Sequence, residues 1–207
     1  MIDIQKSSEP PLLRKHRTST QNANYDNGPA DMKKEIASFL LREQGYICCY
    51  CMQVISENGV RVEHKLSQNR HPGLALDYSN MAGACSCTKG CEKTKQHCDI
   101  FKGDQDFTFN LSNIEHLMKY EPRGRIKSLD PNLDKEINEV LNLNVNSLVL
   151  LRKKVYEAIA KFLSKSPKAG IIAKRIHKYE AMENGKKKAF CGVCIFFLKK
   201  KLAKLQK

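Results

Sequence analysis

The chain contains no tryptophan, and none of its apolar runs is long. The longest, residues 190–198, falls far short of the roughly 20 residues that a membrane span requires. Residues 1–20 alternate charge, proline and serine and offer no apolar stretch that resembles a secretory leader. These two absences argue against a secreted or membrane-spanning protein and for the cytoplasm. Acidic residues are scarce at one end only. Residues 1–149 hold 19 basic and 19 acidic side chains, whereas residues 150–207 hold 17 basic and 3 acidic ones and so carry the whole formal charge of +14. Such asymmetry suits a polyanionic partner, because each cation placed on a phosphate releases condensed counterions. A solvated lysine-rich surface that only keeps the chain soluble is the plainer alternative.

What is present is a core-forming composition, with 41% apolar and 28% charged residues in 207, and nine cysteines. Seven of the nine lie between residues 48 and 98. An odd count without a leader does not suit a disulfide framework, and the clustering points to a metal.

Three stretches are expected. Residues 1–30, rich in Ser, Asn, Pro and Thr, predict an extended N-terminal arm. Residues 31–110 begin with a helix capped by Asp31, carried by Ile36, Phe39 and Leu40 and stopped at Gly45. A short hairpin over residues 47–65 follows, with Glu57-Asn58-Gly59 as its turn and Val60-Arg61-Val62 as its returning strand. Residues 66–110 are mostly loop. Residues 111–207 form a basic helical region, in which Leu148, Leu151, Val155, Ile159 and Phe162 keep helical spacing and Phe190, Cys194, Phe197 and Leu205 do so more loosely. Pro167 and Gly170 separate two helices.

Cys48-x-x-Cys51, followed by Cys85 and Cys98, has the makings of a tetrahedral zinc site, since a CxxC turn presents two thiolates from one knuckle. Cys87 and Cys91 compete with Cys85 and Cys98 for the second pair, and His97 could ligate or hydrogen-bond a ligand from outside. The alternative is a set of free thiols packed as small apolar side chains. Between the cysteine pairs stands Val62-Glu63-His64, where a strand should end. A carboxylate beside an imidazole can hold a hard cation while the neutral ring takes a proton from water, which suits phosphodiester hydrolysis.

Taken in order, Cys48-x-x-Cys51, Glu63-His64, Asn80-Met81-x-x-x-Cys85 and Cys98-Asp99-x-x-Lys102-Gly103 resemble an HNH nuclease. The resemblance implies an α+β protein, with a small ββα-metal core clipped by zinc and embedded in a mainly α-helical chain. It further implies His64 as general base, Glu63 and Asp99 as ligands of a catalytic Mg2+ or Mn2+, and Asn80 as brace of the loop between strand and helix. Cys48, Cys51, Cys85 and Cys98 would hold one structural Zn2+. Two departures stand out. Twelve residues separate Cys85 from Cys98, where the family has a CxxC pair, and the insert is basic with two extra cysteines. Asp99 stands where Asn or His is usual, and it can serve a hard cation equally well.

Gln96-His97-Cys98-Asp99-x-x-Lys102-Gly103-Asp104 is similar to a narrower group, the PtuB-type HNH proteins of bacterial Septu and retron anti-phage systems. Gly45-x-x-Cys48-x-Tyr50-Cys51-Met52, Leu141-Asn142-Leu143-Asn144 with Leu148 and Arg152, and Cys191-Gly192-Val193 extend the likeness. It implies a bacterial cytoplasmic effector that cuts nucleic acid, most simply DNA, under control of a PtuA-like ABC-type ATPase. A retron reverse transcriptase with its RNA and DNA is a further implied partner. His97, Lys102, Cys87 and Cys91 remain candidates for additional roles in the site. Lys186, Lys187, Lys188, Lys199, Lys200 and Lys201 are the candidate nucleic-acid contacts. Cys191 and Cys194, set among Phe190, Val193, Ile195 and Phe197, suit core packing better than a second metal. His71 and Arg123-Gly124-Arg125 suit ordinary loops. A zinc-stabilised binding or scaffold subunit without chemistry is the competing function, and the Glu63-His64/Asp99 set is what separates it from a nuclease.

Overall fold

A computed structural model describes residues 1–206; Lys207, the last of the basic stretch, lies outside it. The architecture is mixed α+β, with two small antiparallel sheets set among helices. None of the described residues forms a helix long and apolar enough to cross a membrane.

The first 30 residues are not simply extended. Helix α1 spans Pro11–Ser19, opening on a proline whose missing N–H costs a first turn nothing, and it buries Leu13 and His16. With so few apolar positions its period is hard to see in the sequence. Helix α2, Ala30–Gln44, follows Pro29, and Asp31 lies inside its first turn rather than at its cap. There a carboxylate still complements the positive end of the helix dipole. The helix stops as expected at Gly45, which takes the left-handed conformation at φ +63°. Leu13, Met32, Ile36 and Leu40 form a small apolar cluster with Leu76, Tyr78 and Met81.

Strand β1, Val60–His64, pairs with strand β2, Met81–Cys85, and not with residues 47–56 as the hairpin expectation had it. Residues 47–54 form no strand, closing on themselves through one isolated bridge, Ile47 to Val54, and through the Cys48 amide on the Gln53 carbonyl at 2.9 Å. The positive φ angles of Tyr46 (59°) and Met52 (62°) curl this stretch into a knuckle instead of a strand. Every residue of β2 is buried. The side chain of Gln44 covers part of its free edge, accepting from the Gly83 amide at 2.6 Å and donating to the Gly83 carbonyl at 2.8 Å.

A single helical turn, α3 (Asp99–Lys102), follows Cys98. The basic stretch then contains something the sequence did not announce, a hairpin of strands β3 (Met118–Tyr120) and β4 (Ile126–Ser128). Three-residue strands are too short to display a period. Helix α4, Pro131–Lys135, is capped by the Asp130 carboxylate and continues into a π-turn at Glu136–Val140. Helices α5 (Asn146–Leu163) and α6 (Ala169–Glu180) pack on α7 (Cys191–Leu205), which is buried along most of its first half. Leu205, expected on an apolar stripe, is 47% exposed, and Gly170 lies inside α6 rather than between helices. The main core draws on Met1, Ile2 and Ile4, on the knuckle and on the helices through Leu198, so all three sequence stretches share it.

One joint ties hairpin to helices. The guanidinium of Arg152 on α5 is 2% exposed and donates to the carbonyls of Gly124 at 2.7 Å and Leu143 at 2.6 Å. Asn144 accepts from the Ile126 amide and donates to its carbonyl. Gly124 has φ +90°, and a Cβ there would meet the Val149 carbonyl oxygen at 2.1 Å. Arg152→Met removes donors that buried carbonyls depend on and should lower unfolding free energy by about 3 kcal/mol. Gly124→Ala, strained in φ and space alike, should cost at least about 2 kcal/mol. Urea titration measures both, and a loss below about 0.5 kcal/mol in each would deny the joint its importance.

Candidate metal centre and adjoining pocket

The knuckle places Cys48 and Cys51, the end of β2 places Cys85, and the residue before α3 places Cys98. Their sulfurs all lie within 4.8 Å of one another, and all four residues are buried. Cys51 and Cys85 are 3.7 Å apart, Cys48 and Cys98 3.8 Å. A tetrahedron of metal–sulfur bonds near 2.3 Å has edges of about 3.8 Å, which these two separations match, so the set fits zinc. Ionisation in the cluster is uneven. Burial opposes it at Cys48, yet the surrounding thiols hydrogen-bond to its sulfur and hold it well below the ordinary thiol value. Burial, and then the hydrogen bond each gives to the Cys48 sulfur, push Cys51 and Cys98 up. One thiolate thus forms readily, and a divalent cation would be needed to hold four. Cys98 has φ 58° and ψ −143°, a region few residues other than glycine adopt, and its amide is anchored to the Leu141 carbonyl at 2.9 Å. Cys87 and His97 lie beside this cluster, sharing Cys85. Cys91 is exposed and belongs to neither group. Cys191 and Cys194 are packed in the core.

Glu63 and His64 end β1 and line, with Asp99, Lys102, Arg61 and Ser67, a pocket of about 250 Å³. Glu63 is 1% exposed. Its Oε1 accepts from the Tyr50 hydroxyl at 2.8 Å and pairs with the Lys102 ammonium at 3.1 Å, which leaves Oε2 free of both. Burial, and then Asp99 hydrogen-bonded beside it, push Glu63 well above the usual carboxylate range. Burial works against Asp99 too, but Glu63 as donor and the Arg61 guanidinium hold it below that range. Two carboxyls sharing a proton are hard oxygen donors already within reach of one ion, so the set fits a divalent cation. The shared proton leaves the pair one negative charge, which faces the two cations Lys102 and Arg61.

His64 is 7% exposed and its ring meets Tyr25 edge-on, centroids 4.8 Å apart. Nε2 lies 3.0 Å from the Ala75 carbonyl oxygen. A carbonyl only accepts, so Nε2 carries the proton and Nδ1 keeps its lone pair. Burial lowers the pKa of the ring below its ordinary value, which favours the neutral form. Asn80 spans the loop between β1 and β2, accepting from the Leu66 amide at 2.9 Å and donating to the Leu66 carbonyl at 2.9 Å.

Sequence reasoning missed Arg61, Tyr25 and Gln44, and gave Tyr50 no role. Strand alternation places Arg61 on the face of Glu63, a signal that was available; nothing local marks Tyr25. The six candidate lysines fall in two places. Lys186, Lys187 and Lys188 precede α7, and Lys187 donates to the Glu180 carbonyl at 2.7 Å. Lys199, Lys200 and Lys201 lie in its second half, with Lys199 paired to Glu180 at 2.8 Å and Glu115 at 3.4 Å. His71 pairs with Asp106 at 3.1 Å.

No protein-family model matches the chain. Among curated proteins it is similar to one of Vibrio cholerae serotype O1 biovar El Tor named "Retron Vc95 putative HNH endonuclease". The two are 27% identical over 141 residues, and the match covers 62% of this chain and 66% of that protein.

If the four buried thiols are a metal clip, replacing two of them should remove metal and unfold the sheet together. Cys48→Ser/Cys51→Ser is expected to lose at least one zinc per chain by elemental analysis and to gain protease sensitivity between β1 and α3. Full zinc retention in the double variant would remove Cys48 and Cys51 from the ligand set.

Proposed function

We propose that the chain is a metal-dependent HNH endonuclease that cleaves nucleic acid, most simply DNA, as the effector of a bacterial anti-phage system. The observation that carries the reading is an imidazole with a free Nδ1, adjoining a hydrogen-bonded carboxyl pair, in a pocket built directly on a four-thiol cluster. On this reading β1, β2 and α3 form the ββα-metal core, and Cys48, Cys51, Cys85 and Cys98 hold structural Zn2+. The name of the Vibrio relative supports both the nuclease and the retron setting. Control by a PtuA-like ABC-type ATPase, membership of the PtuB group of Septu or retron systems, and contact with a reverse transcriptase rest on the motif likeness alone.

Each residue then has a task. Nδ1 of His64 takes the proton of the attacking water, and the Ala75 carbonyl fixes the tautomer that leaves it free. Asn80 holds the loop that presents Ala75, and Tyr25 limits rotation of the ring. Glu63 and Asp99 are the residues that would hold Mg2+ or Mn2+, and the ion would supply Lewis-acid stabilisation of charge at the scissile phosphate. Lys102 keeps Glu63 in place. The lysines before and along α7 supply affinity for the phosphate backbone.

A zinc-stabilised subunit that binds nucleic acid without cutting is favoured by one observation, that Lys102 and Arg61 already occupy the two carboxyls as partners. The two readings part on His64. His64→Ala should lower cleavage at least about 100-fold, the usual share of a general base, with zinc content and binding unchanged. The assay belongs with the neighbouring gene products or in phage-challenged cells, where a gated enzyme would be active. Cleavage at the wild-type rate would leave the binding subunit.

Affinity makes a separate test. Changing Lys186, Lys187 and Lys188 together to Gln should weaken DNA binding and reduce the slope of log K against log salt by about 2 to 3. An unchanged slope would reassign that stretch to docking a protein partner.

A further inference from the structure

The insert between Cys85 and Cys98 has almost nothing apolar to hold it. Of residues 86–97 only Thr88 and His97 are buried. Even so, the loop returns so that its first and last parts meet at the four-thiol cluster. The Cys87 sulfur lies 3.4 Å from that of Cys85 and 3.8 Å from Nε2 of His97. These three ligand atoms all fall within 4.8 Å of one another.

His97 is 3% exposed, and neither ring nitrogen has a carbonyl or carboxylate partner. Nδ1 lies 3.1 Å from the Cys98 sulfur. If Cys98 is a metal-bound thiolate it has no proton to give, so Nδ1 donates and the lone pair of the ring is on Nε2, facing Cys87. The Gln53 amide oxygen is 3.5 Å from the Cys87 sulfur and 3.7 Å from that of Cys51, an oxygen donor at the open side of the group.

We propose that the insert carries a second soft-metal site, in which Cys87, Nε2 of His97 and a bridging Cys85 thiolate hold a further zinc-class ion beside that of the four cysteines. The proposal rests on the reading of Cys48, Cys51, Cys85 and Cys98 as a zinc site. Gln53 or a water completes a tetrahedron. Cys87 releases its thiol proton to solvent as it binds. Zinc on four thiolates carries excess negative charge, and a second divalent ion sharing one of them relieves it. It would also supply the fastening that an insert of this length lacks. Because Cys87 is exposed and the other four cysteines are buried, the second ion should exchange with solvent while the first does not.

The test counts zinc per chain by native mass spectrometry on the full-length protein, reduced, incubated with excess zinc and then desalted. The wild type should carry two zinc ions, falling to one after brief exposure to EDTA. Cys87→Ser, at an exposed position, and His97→Gln should each carry one before EDTA. A wild type with one ion, unaltered in either variant, would overturn the second site and leave the four-cysteine site standing, with His97 only a donor to Cys98. Two ions that persist in both variants would overturn it as well. A wild type with none would overturn the four-cysteine reading together with it.

Discussion

Four thiols from three separated stretches have to meet at one point, and most of the remaining architecture follows from that meeting. Residues 66–110 carry too little apolar surface to order themselves, and the sheet beside them has only two strands, a size that is marginal alone in water. A metal held by these four thiols would supply what the core does not. Its position also sets the pocket. Register places Cys85 opposite Val60 and His64 opposite Met81, so fixing sulfur at one end of the sheet fixes the imidazole at the other. Asp99 is one residue from Cys98, and Glu63 one from His64. Each candidate catalytic side chain is therefore within a few bonds of a constrained backbone.

The helical half is fastened to the same point. Leu141 offers its carbonyl to the Cys98 amide, and Asn142 donates to the Gln96 carbonyl at 2.8 Å. Leu143 and Asn144 turn the other way, to Arg152 and to β4. Four consecutive residues thus bridge the cysteine cluster to α5. From the far end of the chain, the Phe190 amide bonds the Met52 carbonyl and the Lys187 amide bonds the Gly45 carbonyl. Gly45 cannot be larger, since a Cβ there would lie 2.9 Å from that Lys187 nitrogen. The knuckle is held from both flanks, which is why residues so far apart in sequence share one core.

Legibility followed range. Cys48-x-x-Cys51, the stop at Gly45 and the long α5 depend on spacings of a few residues, and the sequence displays them directly. The partner of β1 lies beyond a loop of some sixteen residues, so alternation revealed the strand and assigned it the wrong neighbour. Helix α1 was hidden because one buried leucine suffices when a second helix covers it. Asp31 has the chemistry of a cap but stands one residue inside the helix, where the dipole rewards it almost as well. Of the pocket, Glu63, His64 and Asp99 were found through motif order. Arg61 could have been read from strand alternation, whereas Tyr50 and Tyr25 act through contacts that only the tertiary structure creates.

Charge balance in the pocket decides where a cation could enter. Glu63 and Lys102 are both nearly inaccessible, and separating them would strand a charge in a medium that solvates it poorly, at a cost of several kcal/mol. Arg61 and Asp99 are differently placed, with side chains 43% and 12% exposed. An ion pair at such a surface contributes only about 0–1 kcal/mol, because water takes up whatever the partners release. Arg61 can therefore give up Asp99 to a divalent ion at little cost, whereas Lys102 cannot give up Glu63. On the proposed reading a cation would replace Arg61 at the outer carboxyl, while Lys102 keeps its hold on Oε1 of the inner one. On that reading Lys102 belongs to the scaffold, and Arg61 is the counterion that a cation at Asp99 would displace.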